Sequence, residues 1–285
     1  MKVKTLLCAL LILAAAPLLQ AQGQISTRKH RLADFTDKVT KVVLTGNEML
    51  SSALREEVVA GWTASAFEFC TLEQFEKLKS QDKYYFLLVA ERRLPDEETP
   101  GVCFLTLLKG SPEAKDGGMD AMPEIISLPL MAAMGGNGRE LTYLGALVKT
   151  VQDYTLDAME SEKVAYGMEA WVNKNYSKWG HMKQLIVAKE DLAESVTEKD
   201  LQKYLDSDFR VLDMAEADQA YIDASYNTLV SYVVTPIIPG KGSVCYKMLF
   251  EADTHTLYYL SKHKITPKKA EGFLPEDLKR LASKR

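Results

Sequence analysis

The residue types that most often carry chemistry are few in this chain and lie far apart. Four histidines and four cysteines occur among 285 residues, with histidine at positions 30, 181, 255 and 263. His255 and His263 share a face of one strand only if it runs unbroken, and they are then about 26 Å apart, too far to share a metal ion. The sequence also has no HExxH and no Cys-x-x-Cys motif. It therefore predicts no metal site and no cofactor.

Nucleophile and phosphate-binding patterns are equally weak. No serine lies in a GxSxG elbow, and Gly135 to Gly138 is typical of a flexible connector before a helix rather than a phosphate loop. Gly240 to Ser243 indicates a hairpin turn. Cys70, Cys103 and Cys245 lie among bulky apolar residues with no neighbouring histidine. We expect Cys103 and Cys245 to be buried, reduced thiols.

Composition excludes several classes of protein. Apolar residues make up 47% and charged residues 26%, which is typical of a folded globular chain. The net charge of -4, with acids and bases mixed along the sequence, gives no basic field for a phosphate backbone. Nucleic acid is therefore not an expected partner.

The amino terminus has the pattern of an export signal. Lys2 and Lys4 precede a short apolar run from Thr5 to Leu19, and Ala21 supplies the small residue before a cleavage site. The run is shorter than the roughly 20 apolar residues that span a bilayer. We expect cleavage after Ala21, a periplasmic or secreted mature protein, and no transmembrane anchor after cleavage.

The mature chain predicts an α/β fold with mixed sheets. Strand and helix periodicities alternate from Lys41 as β-α-β-α-β-β-β-α, and residues 84–90 and 102–108 read as a hairpin. Thr71 with Gln74 predicts a capping box at the second helix. The same order of elements recurs after Gln184, where Thr197 with Asp200 and Asp213 with Glu216 predict further caps.

A shift of 142 residues aligns the two halves, placing Val102-Cys103 on Val244-Cys245 and Thr71 on Asp213. This agreement predicts an internal duplication of two related β-α-β-α-β-β units joined by long helices. Two ordinary α/β segments with similar strand spacing are the alternative. The predicted boundaries are a signal peptide at 1–21, a polar arm at 22–37, a first unit at 38–160, a linker helix at 161–183, a second unit at 184–265, and a C-terminal helix and tail at 266–285.

Two segments are candidates for contact with a ligand or partner. The charged loop between the hairpin strands contains Asp96, Glu97 and Glu98 and is expected to be solvated. The linker helix carries Trp171, Tyr176 and Trp179, which either form a recognition surface or pack between the two sheets.

The first half also resembles a known module. Its segments Lys-Val-Val-Leu-Thr-Gly-Asn from Lys41, Phe67-Glu-Phe-Cys-Thr, and Tyr84-Tyr-Phe-Leu-Leu-Val resemble the amino-terminal α/β module of TolB and the curli-secretion lipoprotein. With the export signal, the pattern is similar to uncharacterised exported proteins of Gram-negative bacteria. The resemblance implies a periplasmic binding or assembly role and assigns no site residue.

Three functions follow as hypotheses. The first is a non-catalytic binding or assembly protein that presents a groove or sheet edge to an envelope protein. The second is a hydrolase whose active-site residues converge from separate segments and leave no motif. The third is a small-ligand carrier that uses the cleft between the two halves, lined by tyrosine and tryptophan of the linker helix.

The signal prediction is tested by the mass of the exported protein. Because Ala21 precedes the expected cut, the mature chain should begin at Gln22. Intact-mass spectrometry should give the mass of residues 22–285 without added lipid. A mass that retains residues 1–21 would contradict the assignment.

Overall fold

The computed structural model describes residues 32–204 and 208–282. The predicted signal peptide, Cys8 and His30 lie outside these ranges. Within them, strands and helices alternate in the order that the periodicity predicts, and the α/β fold is confirmed. No helix among the described residues is long and apolar enough to cross a bilayer.

The first unit begins with a parallel β-α-β-α-β segment. It consists of β1 (Val39–Leu44), α1 (Glu48–Gly61), β2 (Ala66–Thr71), α2 (Leu72–Leu78) and β3 (Tyr84–Arg92). An antiparallel extension follows, made of β4 (Val102–Lys109), the short α3 (Ala114–Gly117), β5 (Glu124–Ala132) and the long α4 (Arg139–Glu160).

A linker of two helices leads to the second unit. The linker contains α5 (Glu162–Ala165) and α6 (Met168–Trp179). The second unit consists of β6 (Gln184–Ala188), α7 (Glu198–Tyr204), β7 (Phe209–Leu212), α8 (Met214–Ile222), β8 (Thr228–Val234), β9 (Val244–Glu251), β10 (Leu257–Lys264) and α9 (Pro275–Ala282).

Both units form a five-stranded mixed sheet of the same topology. The strand orders are β2-β1-β3-β4-β5 and β7-β6-β8-β9-β10. In each sheet the first three strands of the unit pair in parallel, and the last two add as antiparallel neighbours. The predicted pair of related units is therefore confirmed in its element order and strand pairing.

Cys103 and Cys245, which the shift of 142 residues aligns, occupy matching places. Cys103 is the second residue of the eight-residue β4, and Cys245 is the second residue of the eight-residue β9. Cys70, Cys103 and Cys245 are buried and form no disulfide in the structure. Burial raises the pKa of the Cys103 and Cys245 thiols to about 11. Their expected packing role is confirmed.

Crossover helices lie on opposite faces of each sheet, as right-handed connections require. In the first unit, Leu50, Leu54 and Val58 of α1 pack into the large central core, and Phe75 of α2 packs on the other face. In the second unit the arrangement is exchanged: α7 lies on the outer face, and Ala217 and Tyr221 of α8 join the central core. The units therefore pack through non-equivalent faces.

Helix α4 lies between the units. Its buried residues extend around the helix, including Tyr143, Leu144, Leu147, Val148 and Val151. A helix with apolar residues on several sides packs against neighbours on several sides. The side chains of α4 belong to the same core as β3 and β4 of the first unit and β8 and β9 of the second. One continuous core thus joins both sheets.

Two local predictions are wrong. Asp213 occupies the N-cap position of α8, but its side chain accepts no capping hydrogen bond, and the Met214 amide donates instead to Glu190 at 2.9 Å. The predicted polar arm to residue 37 includes part of the core: Leu32 and Phe35 are 2% and 0% exposed. Phe35 packs edge-on against Trp62 and Tyr85. The caps at Thr71 and Thr197 form as predicted.

Asp34 fixes this amino-terminal segment to the first sheet. Its carboxylate accepts hydrogen bonds from Tyr85 at 2.7 Å and from Lys109 at 2.8 Å, and it pairs with Lys38 at 2.7 Å. Burial alone would raise the Asp34 pKa, but the three donors outweigh it and lower the pKa to about 2.

We predict that Asp34→Asn lowers the free energy of unfolding at neutral pH by about 1 kcal/mol. The effect is small because water screens the partly exposed carboxylate. Because the folded-state pKa is depressed, the native chain should lose this stability as the pH falls from about 4 towards about 2. The variant should not lose it. Urea unfolding at several pH values measures both effects, with exposed Asp37→Asn as the control. Equal pH slopes in native chain and variant would contradict the assignment.

Candidate functional site

The hairpin loops of the two units meet at one side of the molecule. Residues 93–101 connect β3 to β4, and residues 235–243 connect β8 to β9, so the loops hold equivalent positions in the two units. Gly101 lies against Pro236: a Cβ built on it would come within 2.5 Å of the proline Cγ. Gly242, at φ +84°, lies equally close to the Asp96 backbone. The loops pack in direct contact.

A groove of about 500 Å³ lies between these loops and the turn after β5. Its border carries three highly exposed apolar side chains: Met134 at 72%, Ile237 at 60% and Ile238 at 70%. Glu91, Glu98 and Lys241 line the same groove. Exposed apolar clusters bordered by polar groups are typical of protein interaction sites.

The three acidic residues predicted in the first loop have different environments. Asp96 is exposed and pairs with Lys264 of β10, whose hydrogen bond and charge lower the Asp96 pKa. Glu98 is exposed at the groove. The expectation that Glu97 is solvated is wrong: it is 8% exposed, and its carboxylate accepts the Leu94 amide at 2.9 Å. Glu97 shapes the loop, because a buried carboxylate must be hydrogen-bonded.

The aromatic residues of the linker helix do not join that groove. Tyr176 is 2% exposed and its hydroxyl donates to the Leu281 carbonyl at 3.1 Å. The indole of Trp171 donates to Asp157 at 2.7 Å and packs edge-on against Tyr154. Trp179 is 43% exposed, with Lys178 over its ring. Packing within the core therefore accounts for Tyr176 and largely for Trp171.

The structure adds a buried ionic cluster that the sequence does not reveal. Arg139, the first residue of α4, is 5% exposed, and Asp191 is 2% exposed. The Arg139 guanidinium donates to Asp191 at 2.8 Å, to Asp218 at 2.9 Å and to the Ser231 carbonyl at 2.9 Å. The Ser231 hydroxyl donates to Asp191 at 2.6 Å. These partners come from separate segments of the second unit, so no local motif marks them.

The electrostatics of this cluster are those of a structural clamp. Burial would lower the Arg139 pKa, but Asp191 and Asp218 outweigh it and raise it, so the guanidinium stays charged. Burial raises the pKa of Asp191 despite the attraction of Arg139. Because Nε and both terminal nitrogens of Arg139 already donate to protein oxygens, the cluster has little capacity left to bind a substrate anion.

The described histidines hold separate positions. His255, at φ +53°, shares a 2.5 Å hydrogen bond with the Tyr221 hydroxyl through Nδ1. His263 donates from Nε2 to the Ala270 carbonyl at 2.8 Å, and burial lowers its pKa. His181 is exposed. Across residues 32–204 and 208–282, no three His, Cys, Asp or Glu side chains are arranged to hold a metal ion.

The glycine-rich turn before α4 is a connector. Gly138 adopts a left-handed conformation at φ +96°, and its amide donates to the Glu140 carboxylate at 2.9 Å. An acid of the chain itself therefore occupies the place of a bound anion.

Comparisons with protein-family models, with curated proteins and with solved structures find no match for this chain. What the groove binds is therefore inferred from its own side chains.

We predict that Arg139→Met lowers the free energy of unfolding by about 3–5 kcal/mol, because it leaves Asp191 buried without its cation. Chemical denaturation at neutral pH measures the loss. The destabilisation should shrink at acidic pH, where Asp191 binds a proton and loses its charge.

Lys149→Met on the same helix is the control for this measurement. Lys149 forms a half-exposed ion pair with Asp153 at 2.5 Å, and the substitution should cost at most about 1 kcal/mol. An Arg139→Met loss no larger than that of Lys149→Met would show that the cluster is not a clamp.

Proposed function

We propose that this chain is a non-catalytic binding protein that captures a segment of another polypeptide in the groove between its two hairpin loops. The observation that carries the proposal is the cluster of Met134, Ile237 and Ile238, each at least 60% exposed beside a cavity of about 500 Å³. Loops on a rigid scaffold commonly provide binding surfaces. Here both loops are tied to the core by β-strands.

The charges of the groove define the partner further. Asp96 is neutralised by Lys264, and the Glu97 carboxylate is engaged by the Leu94 amide. The remaining charges at the groove are Glu91 and Glu98 against the single cation Lys241. The favoured partner segment therefore carries apolar side chains next to Lys or Arg.

The setting of this function is the cell envelope or the secreted fraction. The predicted signal at residues 1–21 and the resemblance of the first unit to modules of envelope proteins support that setting, by analogy of fold. The shared strand order of the two sheets supports an origin of the groove by repetition of one unit, which brought two equivalent loops together.

A hydrolase is supported less well by the same structure. Its strongest candidate group, the Arg139 cluster, is buried and its donors are occupied. Catalysis needs a nucleophile held by a base, and the described hydrogen bond of the Ser243 hydroxyl in the groove is from the Gly240 amide at 2.9 Å, not to a carboxylate.

Selection from a phage-displayed library of random peptides tests the proposal with the folded mature protein. We expect enrichment of peptides that combine Leu, Ile or aromatic residues with Lys or Arg. The double variant Ile237→Ser/Ile238→Ser should bind the selected peptides at least about tenfold more weakly, because buried anchor residues dominate interface energies. Fluorescence anisotropy of labelled peptides measures the affinities.

Ile222→Ser is the matched control, since Ile222 on α8 is as exposed as Ile237. It should leave peptide affinity unchanged. Glu98→Lys should weaken the binding of basic peptides, because it replaces an anion of the groove by a cation. Selected peptides that bind the double variant and the native chain equally, or a library that yields no enrichment, would overturn the groove as the binding site.

A further inference from the structure

A second cavity lies between the two units, away from the exposed isoleucines. It has a volume of about 280 Å³ and runs along the outer strand β5 of the first sheet. The opposite walls come from β10 of the second sheet and from the linker segment at Tyr166 and Met168. Cavities of this size at the junction of two units are common sites for small ligands.

Four aromatic rings line this cleft: Phe104, Tyr154, Tyr166 and Tyr246. Phe104 and Tyr246 pack edge to face, with ring centroids 5.5 Å apart. The Tyr154 hydroxyl donates to the Val164 and Ala165 carbonyls at 3.0 and 3.1 Å, which fixes its ring. Tyr166 is 61% exposed at the mouth. Walls of this kind favour a flat aromatic group of the ligand.

The polar groups at the cleft have balanced charge. Arg92 pairs with Glu124 at 2.6 Å, so these two neutralise each other. Lys262 on β10 and Glu169 on α6 also line the cleft and are exposed. Within the described chain neither forms an ion pair. A cation and an anion on different walls complement a ligand that carries both charges.

We propose that this cleft binds a small aromatic zwitterion of the α-amino acid class. The ring of the ligand packs against Tyr166 at the mouth and against the exposed edges of Phe104 and Tyr246, while its carboxylate faces Lys262 and its ammonium faces Glu169. The carrier hypothesis placed tyrosine and tryptophan of the linker helix in such a cleft, and of the linker aromatics Tyr166 lines this one while Trp171, Tyr176 and Trp179 do not. No residue lines both this cleft and the peptide groove, so the proposal does not rest on the groove.

Isothermal titration calorimetry of the mature protein tests the proposal with four compounds. L-phenylalanine should bind. Hydrocinnamate lacks the ammonium, phenethylamine lacks the carboxylate and L-alanine lacks the ring, so each should bind more weakly.

Three variants connect the binding to named side chains. Lys262→Gln and Glu169→Gln should each weaken the binding of L-phenylalanine about threefold to fivefold, the upper part of the range for exposed ion pairs. Lys262→Gln should leave phenethylamine unaffected, and Glu169→Gln should leave hydrocinnamate unaffected. Tyr166→Ala should weaken the binding of L-phenylalanine, hydrocinnamate and phenethylamine, which all carry a ring. Lys268→Gln, Glu198→Gln and Tyr226→Ala are exposed controls outside the cleft and should change nothing.

No binding of L-phenylalanine by the native protein would overturn the proposal. So would binding that none of the three cleft variants changes, because the ligand would then lie elsewhere. Binding of hydrocinnamate as tight as that of L-phenylalanine would overturn the zwitterion assignment. The Ile237→Ser/Ile238→Ser variant should bind L-phenylalanine normally, so failure of the peptide groove and failure of this site are distinguishable.

Discussion

The relative placement of the two sheets depends on the insertion of α4 between them and on the ionic clamp at its first residue. Arg139 begins the last helix of the first unit, yet the three residues to which its guanidinium donates belong to the second. Its guanidinium also lies over the Tyr143 and Tyr232 rings, which stack at 4.5 Å. Because a buried cation needs all of its partners, the clamp specifies one docking of the units. The groove and the cleft, both built from residues of two units, exist only in that docking.

The two sheets differ at a pair of matching positions in their antiparallel strands. Met248 and Leu260 pair across β9 and β10 and join the central core covered by α4. At the matching positions of the first sheet, Thr106 and Ser127 pair and share a hydrogen bond of 3.0 Å. Thr106 and Ser127 line a groove of the first sheet together with the charged residues Arg92, Asp120 and Glu124 and the apolar residues Leu108, Met119 and Met122.

Periodicity along the sequence predicted the strands and helices. The roles of single residues depend on contacts between distant segments, and the sequence did not predict those contacts. The strand at Phe209–Leu212 and the helix beginning at Arg139 follow from periodicity alone. Phe35 was missed because one aromatic in a polar stretch has no period. Arg139 was missed because Asp191 and Asp218 are distant in sequence. Asp213 shows the converse: a good capping residue leaves its helix uncapped when Glu190, folded alongside, accepts the amide.

Glu97 joins the two candidate sites physically. Its carboxylate holds the Leu94 amide, and Leu94 lines the cleft while Glu97 itself lines the groove. Residues 94 and 97 belong to one tight loop, so a rearrangement that moves one wall moves the other. If such a rearrangement accompanies binding at either site, the two affinities change by the same factor, because linkage between binding equilibria is reciprocal. A carboxylate buried in a loop of otherwise exposed acids is thus placed where it can transmit that coupling.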